Sequence, residues 1–442
     1  MVRVETARAE PHGLLLDQLA DRSAQVAILG QGYVGLVVAM RASEAGFAVT
    51  GLEPDPARAA QLASGTSYIE DVPDEVLQAA LDRGYRPTSD PDALAGYDVA
   101  VISVPTPLHE GLPDLSFIEA AGRFAAAHLT PGALVVLEST TYPGTTTELL
   151  GPLLEEVAGL RVGEDFLLGY SPERIDPGNP SFGLHNTPKV VGGVDQASTD
   201  AVAAFFGAFV ERIVPVPGCG EAELTKIIEN TFRHVNIALI NEIAMFSHAL
   251  GIDVNAAIDA AATKPFGYMP FRPGPGVGGH CLPVDPSYLS WRVKTSLGEN
   301  FRFIELANDI NDHMPHYVVQ RITAALNQDR KAVNGARIVA LGVSYKPNVG
   351  DTRETPATAI IEQLAALGAE VTAVDVHVKG ATSFAGVPLV ATADDELLRT
   401  CDLVVLLTDH DAVDYDTVVK LAPRVLDTRA RLTDDHGVVE RL

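Results

Sequence analysis

The chain has 442 residues, 47% hydrophobic and 20% charged, which is enough apolar matter for more than one core and too much for a disordered polymer. A formal net charge of −26 excludes a nucleic-acid binder, which needs a basic face, and leaves any anionic substrate to be held by a few local cations. Three cysteines, Cys219, Cys281 and Cys401, are too scattered for a disulfide framework or a paired-cysteine metal site, so no metal is expected and a reducing, cytoplasmic setting fits.

Residues 1–23 contain Glu5 and only a three-leucine apolar block, unlike a secretory leader, and read as a frayed or helical extension. No apolar run of about 18 residues occurs, so no membrane partner is expected. Residues 24–217 alternate apolar strands with amphipathic helices, the pattern of a parallel sheet with crossover helices. Strands are predicted at Gln25–Leu29, Ala48–Leu52, Asp98–Val104, Leu134–Glu138 and Phe166–Tyr170, and the Pro/Gly-containing stretch Glu211–Gly220 ends the unit. Residues 218–329 read as a central helical domain. Its helix Glu221–Leu250 has no glycine or proline, spans about 45 Å, and carries an apolar stripe of Ile227, Ile228, Thr231, Val235, Ala238, Leu239 and Ile243. A stripe that broad is suited to a homodimer surface. Lys264 to Pro286 follows with five glycines and six prolines, too long for a simple connection and therefore a functional loop. Residues 330–442 form a second α/β unit, with strands at Arg337–Val343, Glu370–Val374, Leu403–Leu407 and Arg424–Leu426 and a helix at Thr355–Leu367. The fold class is thus α/β: two Rossmann-like, doubly wound parallel-sheet domains joined by a long central helix and a helical middle domain.

The first strand runs into Gly30-Gln-Gly32-Tyr33-Val34-Gly35 and then a helix. The first glycine permits the tight turn, the second lets a pyrophosphate reach the backbone, and the third lets helix and strand pack closely. Backbone N–H groups at the helix start would hold the phosphates. Glu53, 18 residues after Gly35, closes the next strand where a carboxylate takes both ribose hydroxyls, which selects NAD over NADP. The second α/β unit keeps only Gly342 of this pattern and is not expected to hold a dinucleotide.

Further motifs stand in order: VPTP at 104–107, PDLS at 113–116, ESTTYPGTT at 138–146, SPERIDPGN at 171–179, AELTKIIENTFR at 222–233, PGPGVGGHCLPVD at 273–285 and GVSYKPNVGDTRETPA at 342–357. With them the chain resembles the UDP-glucose/GDP-mannose dehydrogenase family from about Val26 to Arg431. That family carries a sugar alcohol to an acid by two hydride transfers with an aldehyde between them. A cysteine thiolate retains the aldehyde as a thiohemiacetal, whose oxidation gives a thioester that water cleaves. Cys281, in a glycine-rich loop where substrate can approach the backbone, is the expected nucleophile, and Asp285-Pro286 just beyond reads as an N-cap with proline at the first helical position. Cys219 and Cys401 read as small buried hydrophobes. Lys226 and Asn230, at i and i+4, share one helix face and could stabilise an oxyanion; the resemblance implies that role and also links Lys226 to proton transfer.

The resemblance implies that Glu173 activates the hydrolytic water, that Asp285 is a second acid, and that Thr140 lies near the reacting centre. On the residues alone, Glu173 could instead pair with Arg174. The resemblance places Tyr33, Val34, Arg58, Pro105, Thr106 and Arg353 with Gly30, Gly32, Gly35 and Glu53 on NAD. It places Phe271, Arg272, Gly278, Lys346 and Arg429 on the UDP-sugar. The loop from Lys264 and Cys-Leu-Pro-Val-Asp resemble the N-acetylhexosamine branch, where the UDP-glucose branch usually has Lys in place of Val284. UDP-N-acetyl-D-glucosamine is therefore the expected substrate, with UDP-N-acetyl-D-mannosamine and UDP-glucose as alternatives. A two-electron dehydrogenase or a non-catalytic nucleotide-sugar binder would need neither a thiol nor a water-activating acid.

Overall fold

The computed structural model describes residues 11–109, 111–176, 179, 181–279, 282–433 and 436–442. The chain divides into two compact units, the first ending at Glu229 and the second comprising Asn230–Leu442. Among the described residues no helix is long and apolar enough to cross a membrane.

The first unit contains β1 (Gln25–Leu29), β2 (Ala48–Leu52), β3 (Arg86–Thr88), β4 (Val99–Ile102), β5 (Leu108–His109), β6 (Leu112–Pro113), β7 (Leu134–Leu137), β8 (Leu167–Tyr170), β9 (Lys189–Gly193) and β10 (Ile213–Pro215). Eight of these form one sheet in the order β10-β9-β8-β7-β4-β1-β2-β3, and β5 and β6 pair separately. Residues Val26 and Ile28 of β1 enter one hydrophobic cluster and Ala27 and Leu29 the other, so the sheet is buried on both faces. That double burial explains why the central strands β4 and β7 read as unbroken apolar runs. The sheet is parallel except where β9 pairs antiparallel with β8, Gly169 opposite Gly193 and Tyr170 opposite Gly192. The N-terminal segment is a helix, Pro11–Asp21, whose Leu15 and Leu19 join the core.

Sequence patterning missed β9 because two of its five residues are glycines. Packing dictates both: a Cβ on Gly192 would lie 2.2 Å from Gly218 O, and one on Gly193 2.3 Å from Thr199 N. The stretch read as a terminating turn holds β10, where Pro215 is tolerated because β10 is the sheet edge. The long helix runs from Cys219 to Ala249 and starts two residues earlier than expected, with Gly220 in its first turn.

The second unit contains β11 (Arg337–Leu341), β12 (Glu370–Val374), β13 (Ser383–Phe384), β14 (Val387–Val390), β15 (Leu403–Leu406), β16 (Val425–Asp427) and β17 (Val439–Arg441), in the order β13-β14-β12-β11-β15-β16-β17. Only β13 and β14 pair antiparallel. The expected helix is present as Pro356–Ala366, with the Thr355 side chain accepting from Ala357 N. The two sheets are built alike at their centres. Gly30 N donates to Leu52 O at 2.9 Å, and Gly342 N donates to Val374 O at 2.8 Å. Both glycines have positive φ, +94° and +79°.

Candidate active site

The dinucleotide turn follows β1, at the point where the strand order reverses between β1 and β4. A Cβ on Gly30 would meet Ser103 O at 2.2 Å and one on Gly35 would meet Gly30 O at 1.9 Å, so packing alone demands both glycines. A Cβ on Gly32 would meet nothing within 4 Å, and that open side is where a pyrophosphate can approach. The helix Gly35–Glu44 begins at Val34 with no side-chain cap, so no side chain occupies its N-terminus, although Leu36 N donates to Gly32 O at 3.1 Å.

Glu53 is buried at the end of β2, where its Oε1 accepts Asp55 N at 3.2 Å and its Oε2 accepts Tyr68 Oη at 3.4 Å. The Arg58 guanidinium lies 5.4 Å from the centroid of the Tyr68 ring. Burial, and then the Glu53 charge, push the Tyr68 hydroxyl up, so it stays a donor. Thr106 is buried beyond β4, whereas Pro105 is exposed and Tyr33 is 38% exposed. These residues fit NAD: a glycine cradle, a helix N-terminus with no side-chain cap, and a carboxylate at the ribose position.

The same sheet edge carries a buried cluster that sequence reasoning half missed. Lys189, 2% exposed, places Nζ 2.5 Å from Glu138 Oε1 and 2.9 Å from Glu173 Oε2. The other Glu173 oxygen, Oε1, accepts the backbone N–H groups of Arg174 and Ile175, each at 2.6 Å. Glu173 does not pair with the Arg174 guanidinium, which goes instead to Glu229 (2.6 Å) and Pro188 O (2.6 Å). Burial pushes the Glu173 carboxyl up, but the Lys189 ammonium and the backbone donors outweigh it and hold the group below the usual range. Burial wins at Glu138, which is pushed up to about 7 and whose Oε2 has no hydrogen-bond partner. Glu138 opens the ESTTYPGTT motif at a strand end as Glu173 does, and that position was the available signal. Lys189 had none. Thr140, just beyond, is half-buried.

Glu223 anchors the long helix within this unit, accepting Gly144 N at 2.6 Å and Thr146 N at 2.9 Å. One turn on, Lys226 is 9% exposed, and its charge favours the ionised form of Glu173. The helix is continuous through Asn230, which belongs to the second unit. There Asn230 Nδ2 donates to Asp285 Oδ2 at 2.6 Å. Asp285 is therefore not the N-cap expected of it. Val284 holds that place without a side-chain bond, and Asp285 is the first residue of the helix Asp285–Leu297, its carboxylate turned to Asn230. Two more polar rungs follow: His234 Nε2 with Asn308 Oδ1 at 2.7 Å, and Asn241 Nδ2 with Asn311 Oδ1 at 3.0 Å. The opposite oxygen, Asn241 Oδ1, accepts Gly274 N at 2.9 Å and ties the glycine-rich loop to the helix.

Cys281 and His280 lie outside the described residues. On the loop before them, a Cβ on Gly278 would meet Glu354 O at 2.8 Å, and one on Gly279 would meet the Tyr345 ring at 2.7 Å. These glycines are explained by close packing on 345–356, not by open space for substrate. Gly279 N also donates to Arg353 O at 3.2 Å. Phe271 stacks edge-on against Phe232 at 5.8 Å and packs on Ile240, Ala244, Val254 and Ile258, while Arg272 pairs with Asp259. Arg353 grips Asp351, Nη2 to Oδ2 at 2.6 Å. Lys346 lies 5.9 Å from the Tyr345 ring centroid, and Arg429 Nε donates to Leu407 O at 2.6 Å beyond β16. Cys219 and Cys401 are buried, and burial pushes their thiols up to about 12 and about 11.

Asp375 ends β12 where Glu53 ends β2, yet its carboxylate is turned inward. Oδ2 accepts Val343 N at 2.8 Å, Ser344 N at 3.0 Å and His410 Nε2 at 3.0 Å. The amides after Gly342 thus already hold an anion, the protein's own, which accounts physically for the second unit lacking a dinucleotide turn. Among the described residues no three His, Cys, Asp or Glu side chains are placed to hold a metal ion.

Three models of the UDP-glucose/GDP-mannose dehydrogenase family match in order: its NAD binding domain over residues 24–210, its central domain over 220–313 and its UDP binding domain over 339–438. A UDP-N-acetyl-D-mannosamine dehydrogenase from Pyrococcus horikoshii is 35% identical over 403 residues, covering 90% of this chain and 92% of that protein. A UDP-N-acetyl-D-glucosamine 6-dehydrogenase from Pseudomonas aeruginosa is 37% identical over 357 residues, covering 79% and 82%. The solved structure of the UDP-D-ManNAc dehydrogenase from Pyrococcus horikoshii superposes with a TM-score of 0.86 at 33% identity, over 94% of this chain and 98% of that one. With the glycine cradle, Glu53 and these matches together, the chain belongs to the UDP-glucose/GDP-mannose dehydrogenase family and is an NAD-dependent UDP-sugar dehydrogenase.

Proposed function

We propose that the chain oxidises the C6 hydroxymethyl of UDP-N-acetyl-D-glucosamine to a carboxylate in two successive oxidations at one site. The observation that carries this reading is the Asn230–Asp285 bond, which ties the helix bearing Lys226 to the helix that starts four residues after Cys281. NAD, when bound, accepts the hydride from C6 in each oxidation. The Cys281 thiolate adds to the C6 aldehyde as a thiohemiacetal, and the second oxidation leaves a thioester. Lys226 and the Asn230 amide donate to the oxyanion of each tetrahedral species; Asn230 keeps one N–H free of Asp285 for this. Glu173 takes the proton of the water that attacks the thioester, and the thiolate departs. One sugar alcohol, two NAD and one water thus give one carboxylate, two NADH and three protons.

The acetamido assignment rests on the loop from Lys264 and on Val284, which is buried where a lysine ammonium would need a partner. Both relatives described above also carry an N-acetylhexosamine in their names. Within that class the gluco epimer is our choice. Comparing kcat/KM for UDP-N-acetyl-D-glucosamine, UDP-N-acetyl-D-mannosamine and UDP-glucose tests it. The order expected is the order given, with UDP-glucose lower by about two decades, and a preference for UDP-glucose refutes the acetamido assignment.

The same reading includes a homodimer. The predicted stripe divides: Ile227 and Ala238 are core, whereas Leu239 (52%) and Ile243 (42%) are exposed. They continue an exposed apolar row with Phe232, Phe246 and Leu250, at helical spacing on one face.

A further inference from the structure

We propose that Lys189 is a positioning residue: clasped between Glu138 and Glu173, its ammonium holds Glu173 as an oriented carboxylate for the hydrolytic step. The inference rests on the reading of Glu173 as the base for that step.

Topology delivers the three side chains to one place. Glu138 and Glu173 follow the ends of β7 and β8, which run parallel. Because β9 runs the other way, its first residue, Lys189, arrives at the edge where those strands finish. A lysine at the start of a parallel strand would have been carried to the far edge.

The geometry at Glu173 is that of an aimed base. Two backbone amides occupy Oε1 and Lys189 holds Oε2, so the carboxylate is fixed in orientation at both oxygens. The Lys189 ammonium also packs 4.8 Å from the centroid of the Phe206 ring. Burying an ammonium with two carboxylates carries a desolvation cost that an apolar side chain would avoid, so a purely structural role gives no reason for it. Among the described residues Lys226 also acts on Glu173, its ammonium favouring the ionised form, while the neighbouring Arg174 guanidinium is paired with Glu229. Glu138 is the group that burial drives toward the protonated form, so the cluster can shed its excess negative charge without neutralising Glu173.

The test follows loss of the Cys281 acyl adduct after mixing with UDP-N-acetyl-D-glucosamine and NAD, by rapid quench and intact-protein mass, as a function of pH. Glu173→Gln comes first: an adduct that persists supports the base assignment, and loss at the wild-type rate sinks that assignment irrespective of Lys189. With the assignment standing, Lys189→Met should move the acid limb of adduct loss upward by at least about one pH unit, because Glu173 stays buried and loses its cation. Lys189→Arg should keep the limb where the wild type has it. Lys189→Met combined with Glu138→Gln should show the same upward shift, since Glu138 is driven toward its neutral form once its cation is gone. That double variant leaves less unpaired buried charge, so it carries the test if Lys189→Met does not fold. Acid limbs that coincide with the wild type in every folded Lys189→Met background overturn the inference.

Discussion

Asn230 donates to Asp285 across 2.6 Å, and both side chains are buried, at 6% and 2% exposure. This bond joins two stretches 55 residues apart and turns the first residue of a helix toward the long helix instead of toward its own backbone.

Removing the donor takes the Asn230 hydrogen bond from a buried carboxylate. Asn230→Ala is expected to lower stability by about 1–3 kcal/mol in urea denaturation, and the double variant with Asp285→Ala to lose less than the sum of the singles. Strict additivity would mean the bond carries no coupling energy.

The three glycines of the nucleotide turn separate binding from packing. Gly32→Ala should keep the wild-type melting temperature yet weaken NAD binding at least about tenfold, because its new methyl points into space free of protein. Gly35→Ala should lose about 1–3 kcal/mol of stability, its methyl colliding with Gly30 O. Calorimetry with and without NAD distinguishes them, and a destabilised Gly32→Ala would contradict the assignment.

Asp375 gives the second unit an acid-sensitive element. Burial pushes its carboxyl up, but the His410 hydrogen bond and charge and the amides of Val343 and His377 bring it down to about 2. The folded value is depressed below the ordinary one of 3.8, so its stabilisation is complete above that pH and is lost as pH falls through about 2. Asp375→Asn should therefore be less stable than wild type at neutral pH, and the difference should shrink on acidification between those two values. A difference that grows as pH falls would reverse the sign.

Much of this was legible in the sequence for identifiable reasons. Strands β1, β2 and β12 were read to the residue because every buried position in them is apolar or glycine. Gly30, Gly35 and Glu53 were readable because each is fixed by local geometry within one βαβ turn. Lys189 was not, since its partners are 51 and 16 residues away and its strand is rich in glycine. Asp285 was misjudged because its DP pattern fits an N-cap, and only tertiary contact with Asn230 decides otherwise. The local contacts of Arg272 and Phe271 were not legible either: Arg272 pairs with Asp259 and Phe271 packs beside the helix Val254–Ala262, both fixed by tertiary structure.

The exposed row on the long helix makes an oligomer prediction. Light scattering at micromolar concentration should give twice the chain mass of 46.8 kDa, and Leu239→Asp with Phe246→Asp should halve it without unfolding the chain. A wild-type monomer would contradict the dimer.

The most direct test of the central claim is the stoichiometry of the reaction. With UDP-N-acetyl-D-glucosamine limiting and NAD in excess, NADH absorbance and residual sugar should be measured on the same sample at completion. The account predicts two NADH per sugar and an acid product; one NADH with a carbonyl product, or none, would contradict it.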